Sequence, residues 1–133
     1  MGKIQIFIVD DHTDFRKALR QHLAREEKFE IANEFADGEQ LVMALCEKKC
    51  DLVLLDISMP LMYGLEALKR IRTLCPGVKT IIVSGRRENE YIEIARRYGA
   101  AGYVLKDDVY RDLIPVIEKV LSGETCFPQC CAG

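Results

Sequence analysis

Apolar residues in this chain follow two rhythms that take turns from one end to the other. Short dense runs at Ile4–Val9, Phe29–Phe35, Leu52–Leu55, Thr80–Val83 and Ala101–Leu105 have the character of β-strands. Leu52–Leu55 is apolar without a break, which predicts a strand buried on both faces. Between the runs, apolar positions recur at helical spacing. Phe15, Ala18, Leu19, His22 and Leu23 form such a stripe after Asp14, with His22 read as a packed residue, since no second ligand lies one turn away. Further helices are predicted over Glu39–Lys48, Leu65–Leu74, Asn89–Tyr98 and Tyr110–Leu121. Asp37-Gly38 and Cys75-Pro76-Gly77 are stop signals, Asn89 an N-cap and Gly99 a C-terminal cap. Pro115 conflicts with the last helix, which is expected to start late or bend there.

Five strand–helix units in succession predict an α/β fold with a parallel sheet covered by helices on both faces. Right-handed crossovers leave few arrangements, and an open doubly wound five-stranded sheet of order 2-1-3-4-5 with five helices is the expected one. Residues 1–122 then form one domain. The remaining 123–133, SGETCFPQCCAG from Ser122 onward, read as a tail or the start of a linker leaving it.

Composition narrows the class. The 133 residues suit a single core, and 49% hydrophobic content with mixed charges suits a folded chain. A net charge of −2 offers no basic stripe for nucleic acid. No apolar run approaches the ~20 residues of a membrane span, and MGKIQIFIVDD lacks a signal-peptide layout, so a cytoplasmic location is expected. Six cysteines are many for this length. Cys46, Cys50 and Cys75 read as small apolar residues; Cys126, Cys130 and Cys131 lack the paired spacing of a zinc site.

The chemistry concentrates at one edge. In an open α/β sheet, ligands bind at the carboxyl ends of the strands. There the first strand delivers Asp10 and Asp11, the third Asp56, the fourth Ser84 and Gly85, and the fifth Lys106; the second delivers nothing obvious. Each residue alone has an ordinary explanation as a cap, a turn former or a solvated charge. Together they bring three carboxylates, a hydroxyl and an ammonium to one rim. Carboxylates so gathered repel unless a cation joins them, and hard oxygen ligands suit Mg²⁺ with phosphate oxygens.

Four motifs carry a resemblance. VDDH at 9–12, LLDISMP ending at Pro60, IIVSG at 81–85 and GYVLKD at 102–107 resemble the receiver (CheY-like) domain of bacterial two-component response regulators, over roughly residues 3 to 122. The DDH opening, ADGEQ at 36–40 and the SGE after the last helix are similar to the NarL/LuxR-type branch. The resemblance implies that Asp56 accepts a phosphoryl group from a phosphohistidine of a partner kinase. It implies that Asp11, Asp56 and the Ser58 backbone carbonyl bind Mg²⁺, with Asp10 acting mostly through water. Lys106 would pair with the phosphoryl group, Ser84 would donate its hydroxyl to it, and Tyr103 would be an aromatic switch turning inward as Ser84 moves. It also implies dimerisation through the first and last helices, and control of transcription through a DNA-binding domain outside this chain.

Leu61 and Tyr63 depart from the family pattern in the loop after the acceptor, where Pro60 and Gly64 shape the turn and Gly64 can supply a positive φ. Arg86, Arg87, Arg96, Arg97 and Arg111 are a candidate partner surface or a solvated face. Three other readings stand beside the transcriptional one: a stand-alone phosphorelay receiver, an aspartate-nucleophile phosphohydrolase, and an interaction scaffold that keeps only the fold. Ser58 argues against the phosphohydrolase, which commonly has a second aspartate at that position.

Overall fold

A computed structural model of the chain describes residues 2–58 and 64–128. The strands are β1 (Ile4–Val9), β2 (Phe29–Phe35), β3 (Leu52–Leu55), β4 (Lys79–Ser84) and β5 (Gly102–Leu105). They form one parallel sheet in the order β2-β1-β3-β4-β5, as the strand–helix alternation requires. The helices are α1 (Thr13–Leu23), α2 (Gly38–Leu45), α3 (Gly64–Leu74), α4 (Asn89–Arg97) and α5 (Val109–Leu121).

Strand side chains alternate between two cores. Phe7, Val9, Val53, Leu55, Ile82 and Tyr103 meet Leu41, Leu68, Ile71 and Ile92 from α2, α3 and α4 on one face. Ile6, Ile8, Leu52, Leu54, Ile81, Val83 and Val104 meet Leu19, Leu23, Leu113 and Ile117 from α1 and α5 on the other. β3 is buried along its whole length, as its unbroken apolar run demands. His22 packs edge-on against Tyr110 at 5.1 Å between ring centroids, so its place on the apolar stripe is a packing role.

Local signals explain most boundaries, and four expectations need correction. Asp37 caps α2 by accepting from the Gln40 backbone N–H at 2.9 Å. That helix ends at Leu45 rather than Lys48, and Cys46 is exposed, because the polar run after it gives nothing to bury. The N-cap of α4 is Glu88; Asn89 is already its first helical residue. Gly99, by contrast, closes α4 as expected: at φ 101° it lets its own N–H reach Arg96 O at 3.1 Å and that of Ala100 reach Ala95 O at 3.0 Å. α5 does not start late; a 3-10 turn (Lys106–Asp108) leads straight into it and the helix runs continuously past Pro115, which lies on its exposed side.

The largest departure is the tail. Gly123, at φ 102°, turns the chain back after α5, and Glu124 N–H bonds to Lys119 O at 3.1 Å. Residues from there to Pro128 return to the free edge of β5 instead of leaving. Cys126 N–H donates to Ala101 O at 2.9 Å and Tyr103 N–H to Cys126 O at 3.1 Å, making a parallel bridge to Gly102. Cys130 and Cys131 lie outside the described residues.

Gly99 gives a clean test of this architecture. Besides its left-handed backbone, a Cβ there would lie under 3.0 Å from the Arg72 side chain. Gly99→Ala should cost about 1–2 kcal/mol in a urea unfolding curve, the usual penalty for that backbone region. Gly77→Ala, whose Cβ would meet open space, should leave the midpoint almost unmoved.

Candidate functional site

Because all strands run the same way, their C-terminal ends share one rim, and the ladder sets Asp10 beside Asp56. Asp10 N–H donates to Phe35 O and Asp56 N–H to Val9 O, both at 3.0 Å, one step beyond the strands proper. Both carboxylate residues are only 2% exposed. Lys106, the first residue after β5, reaches across β4 to both: its Nζ lies 2.8 Å from Asp10 Oδ2 and 3.4 Å from Asp56 Oδ2. The ring of Phe15 from α1 lies 4.5 Å from the same ammonium, a cation–π contact that orients it.

At the mouth, Asp11 and His12 are exposed. The His12 ring Nδ1 lies 3.0 Å from Asp10 Oδ1 and 3.1 Å from Asp11 Oδ1. One ligand atom from each of Asp10, Asp11, His12 and Asp56 falls within 4.8 Å of the others. Three carboxylates and one ammonium leave an excess of negative charge in a half-closed site. Burial is the main reason the Asp56 carboxyl is pushed above its ordinary pKa; Asp10 adds to it, and Lys106 and the Ser58 N–H, which donates to Asp56 Oδ1 at 3.0 Å, oppose it. Burial alone would lower the Lys106 ammonium, but the hydrogen bond to Asp10 and the two carboxylate charges outweigh it and hold Lys106 above its usual value. The arrangement suits a small cation and, beside it, an anion held against Lys106.

Ser84 and Tyr103 join through the backbone of Arg86, a residue the sequence offered only for its side chain. The Arg86 N–H donates to Ser84 Oγ at 3.0 Å, and its carbonyl accepts from Tyr103 Oη at 2.6 Å. Tyr103 is 2% exposed, so the ring already lies inward, and burial raises its phenol pKa.

Two more contributions were hidden. Arg16 on α1 donates to the backbone carbonyl of Asp10 and, through Nε, to Glu34 Oε1 on β2 at 3.2 Å. Glu34 also accepts from Arg20 Nε at 2.6 Å. So β2, expected to add nothing, anchors the β1 end. The only sequence signal was an arginine one turn after His12, which looks like any solvated charge. Gly64 matters for proximity rather than for positive φ: its Cβ would sit under 3.0 Å from the Ile57 Cα and the Asp56 carbonyl oxygen, so α3 begins hard against the backbone after Asp56. Pro60, Leu61 and Tyr63 lie outside the described residues. Ser58 is exposed.

Three of the arginines are engaged in ion pairs. Arg87 pairs with Asp107 at 2.9 Å, Arg111 with Asp112 at 2.8 Å, and Arg96 with Glu93 at 3.6 Å. Among the described residues no helix is long and apolar enough to cross a membrane.

Comparisons with known proteins agree with this fold. The family model described as response regulator receiver domain matches residues 6–118. The transcriptional regulatory protein DegU of Brevibacillus brevis is 36% identical over 122 residues, covering 92% of this chain and 52% of that protein. Among solved structures, a LuxR-family two-component response regulator from Aurantimonas sp. superposes with a TM-score of 0.89 at 27% identity, covering 94% of this chain and 89% of that one. The signal receiver domain of the response regulator NarL from Mycobacterium tuberculosis shares the fold, with a TM-score of 0.86 at 24% identity over 93% of this chain and all of that one. The chain spans about half the length of the curated relatives it matches.

The raised pKa of Asp56 has a stability consequence. A carboxyl raised in the folded state favours folding while protonated, and that contribution is lost as pH rises through its folded pKa. Asp56→Asn escapes the loss. Without metal at neutral pH its midpoint of thermal unfolding should exceed the wild type's by about 3–6 °C, the shift given by ~1 kcal/mol. The gap should close as pH falls and Asp56 protonates; scanning calorimetry across pH checks both.

Proposed function

The chain belongs to the response regulator receiver family, and from that premise we propose that it is a phosphorylation-driven switch with Asp56 as phosphoryl acceptor. The observation that carries this reading is the single ammonium of Lys106 shared by two buried carboxylates, Asp10 and Asp56, with Asp11 at the open side. Such a cluster is short of positive charge, and it can take a cation and then an anion.

Asp56 is the nucleophile. One of its carboxylate oxygens attacks the phosphorus of a phosphohistidine on a histidine kinase or phosphotransfer protein. An O–P bond forms, the P–N bond breaks, and the electron pair leaves with the imidazole. Lys106 is already beside Asp56 Oδ2 and holds the charge of the transferring group. Ser84 turns its hydroxyl proton to a phosphoryl oxygen, while its oxygen accepts from the Arg86 N–H.

Asp11, Asp56 and the Ser58 carbonyl would hold Mg²⁺, with Asp10 acting through water. Their carboxylates are hard oxygen donors, close enough together and in excess of the local positive charge. When bound, Mg²⁺ supplies neutralisation of the phosphoryl oxygens. His12, a nitrogen donor, suits this ion less well; its place is to hold the Asp10 and Asp11 carboxylates in position.

The chain works on its own acceptor and is not a turnover enzyme. The output is control of transcription, supported by relatives named as transcriptional regulators and by the LuxR-family structure. Dimerisation through α1 and α5, and DNA contact through a further domain, belong to the same reading. A stand-alone relay would use the same site.

Intact mass after incubation with acetyl phosphate tests the assignment. The wild type should gain one phosphoryl group only with Mg²⁺, and Asp56→Asn should gain none. Lys106→Ala should label about 10²-fold more slowly, the usual cost of losing one electrostatic stabiliser. Labelling that persists in Asp56→Asn would move the acceptor elsewhere, and steady release of phosphate over many turnovers would favour the phosphohydrolase.

A further inference from the structure

We propose that the N-terminal edge of the sheet carries an anion site, a cavity between α3, α4 and the start of β4 that takes a polyphosphate chain, free or attached to a nucleoside. The proposal stands apart from the receiver reading, since it uses none of the acidic residues and lies at the other end of the strands. β4, six residues long, separates the two ends by about 17 Å at the usual rise per residue.

The cavity has a volume of about 390 Å³, within the range of small-molecule sites. Arg72 from α3, Lys79 from β4, and Arg96 and Arg97 from α4 line it; among the described residues no carboxylate does. All four are exposed. Glu93 reaches Arg96 at 3.6 Å, while Arg72, Lys79 and Arg97 make no ion pair among the described residues. The chain as a whole has a net charge of −2, so four cations around one cavity run against its average.

Arginines in the last turn of a helix offset its dipole, and that accounts for Arg72, Arg96 and Arg97 one at a time. It does not account for Lys79, which opens a strand, or for the way Arg72 is held. Gly99 leaves room for the Arg72 side chain: a Cβ there would stand under 3.0 Å from its Nε, Cδ and Cγ. Arg72 therefore lies against the end of α4, on the cavity that Arg96 and Arg97 also line.

The remaining wall narrows the class of anion. Cys126 N–H bonds to Ala101 O at the edge of β5, which brings Thr125 and Phe127 to the cavity. The Arg96 guanidinium lies over the Phe127 ring, 4.4 Å from its centroid, and makes a flat face beside the charges. A lone carboxylate meets one or two cations. A chain of phosphates spans several, and its oxygens accept paired N–H bonds from guanidinium forks. The flat face suits a nucleoside base attached to such a chain, since bases stack on aromatic and guanidinium planes.

Titration of the full chain with inorganic tripolyphosphate and with ATP tests this, with EDTA present to keep metal from the acidic site. Calorimetry reads the affinity, and ¹⁵N amide shifts read the place. Tripolyphosphate should fill one saturable site, shifting the Gly99, Ala100 and Ala101 amides and leaving Asp56 unmoved. Arg72→Ala and Arg97→Ala should each weaken it about 10-fold, the usual cost of losing a hydrogen bond between charged groups. Lys17→Ala, which removes an exposed charge from α1, should leave it unchanged. Tighter binding of ATP at the same amides, with the advantage lost in Phe127→Ala, supports a nucleoside-linked chain; equal affinity supports the phosphate chain alone. Failure to saturate, shifts confined to other amides, or equal weakening by Lys17→Ala overturns the site. Adenosine binding as tightly as ATP overturns the phosphate chain as what is recognised.

Discussion

Two carboxylates at the ends of adjacent strands, both withdrawn from water and sharing one ammonium, are the constraint around which this structure is arranged. Asp10 and Asp56 are placed side by side by the parallel ladder, at a point where repulsion and burial both disfavour two negative charges. Lys106 meets part of that demand, and Phe15 steadies its ammonium. Arg16 braces the Asp10 carbonyl against Glu34, and Gly64 keeps α3 pressed on the backbone after Asp56. Each costs little alone; together they keep a charge imbalance in a fixed geometry. That imbalance leaves a cluster that could hold a cation.

A fixed site is useful as a switch only if its occupancy is felt elsewhere. The backbone of Arg86 supplies the link, with its N–H on Ser84 and its carbonyl on Tyr103. The Tyr103 N–H also bonds to Cys126 O on the edge of β5, and Arg96 on Phe127 adds α4 to the same corner.

Much of this was legible in the chain itself. Periodicity placed the five strands, and the rule that ligands sit at strand carboxyl ends then brought Asp10, Asp11, Asp56, Ser84 and Lys106 to one rim. What was hidden depends on long-range proximity. Arg16 and Glu34 lie 18 residues apart and meet only once β2 pairs with β1. Arg86 acts through its peptide, which no side-chain pattern reports. Gly64 looked like a turn residue because closeness to Ile57 has no signature in sequence. The tail misled for a similar reason: its apolar pair Cys126-Phe127 is too short for a periodic signal, and its partner strand lies more than 20 residues back. Pro115 misled in the opposite sense, since an exposed proline within α5 does not end the helix.

The central claim is that Asp10, Asp11 and Asp56 are gathered to share a divalent cation with an anion held by Lys106. Calorimetric titration with Mg²⁺, at pH values on both sides of the Asp56 titration, tests it most directly. The account predicts one binding site that weakens as Asp56 protonates and is lost in Asp11→Asn, while the fold of that variant, followed by circular dichroism, stays intact. Binding of equal strength in Asp11→Asn, or binding indifferent to pH across that range, would contradict it.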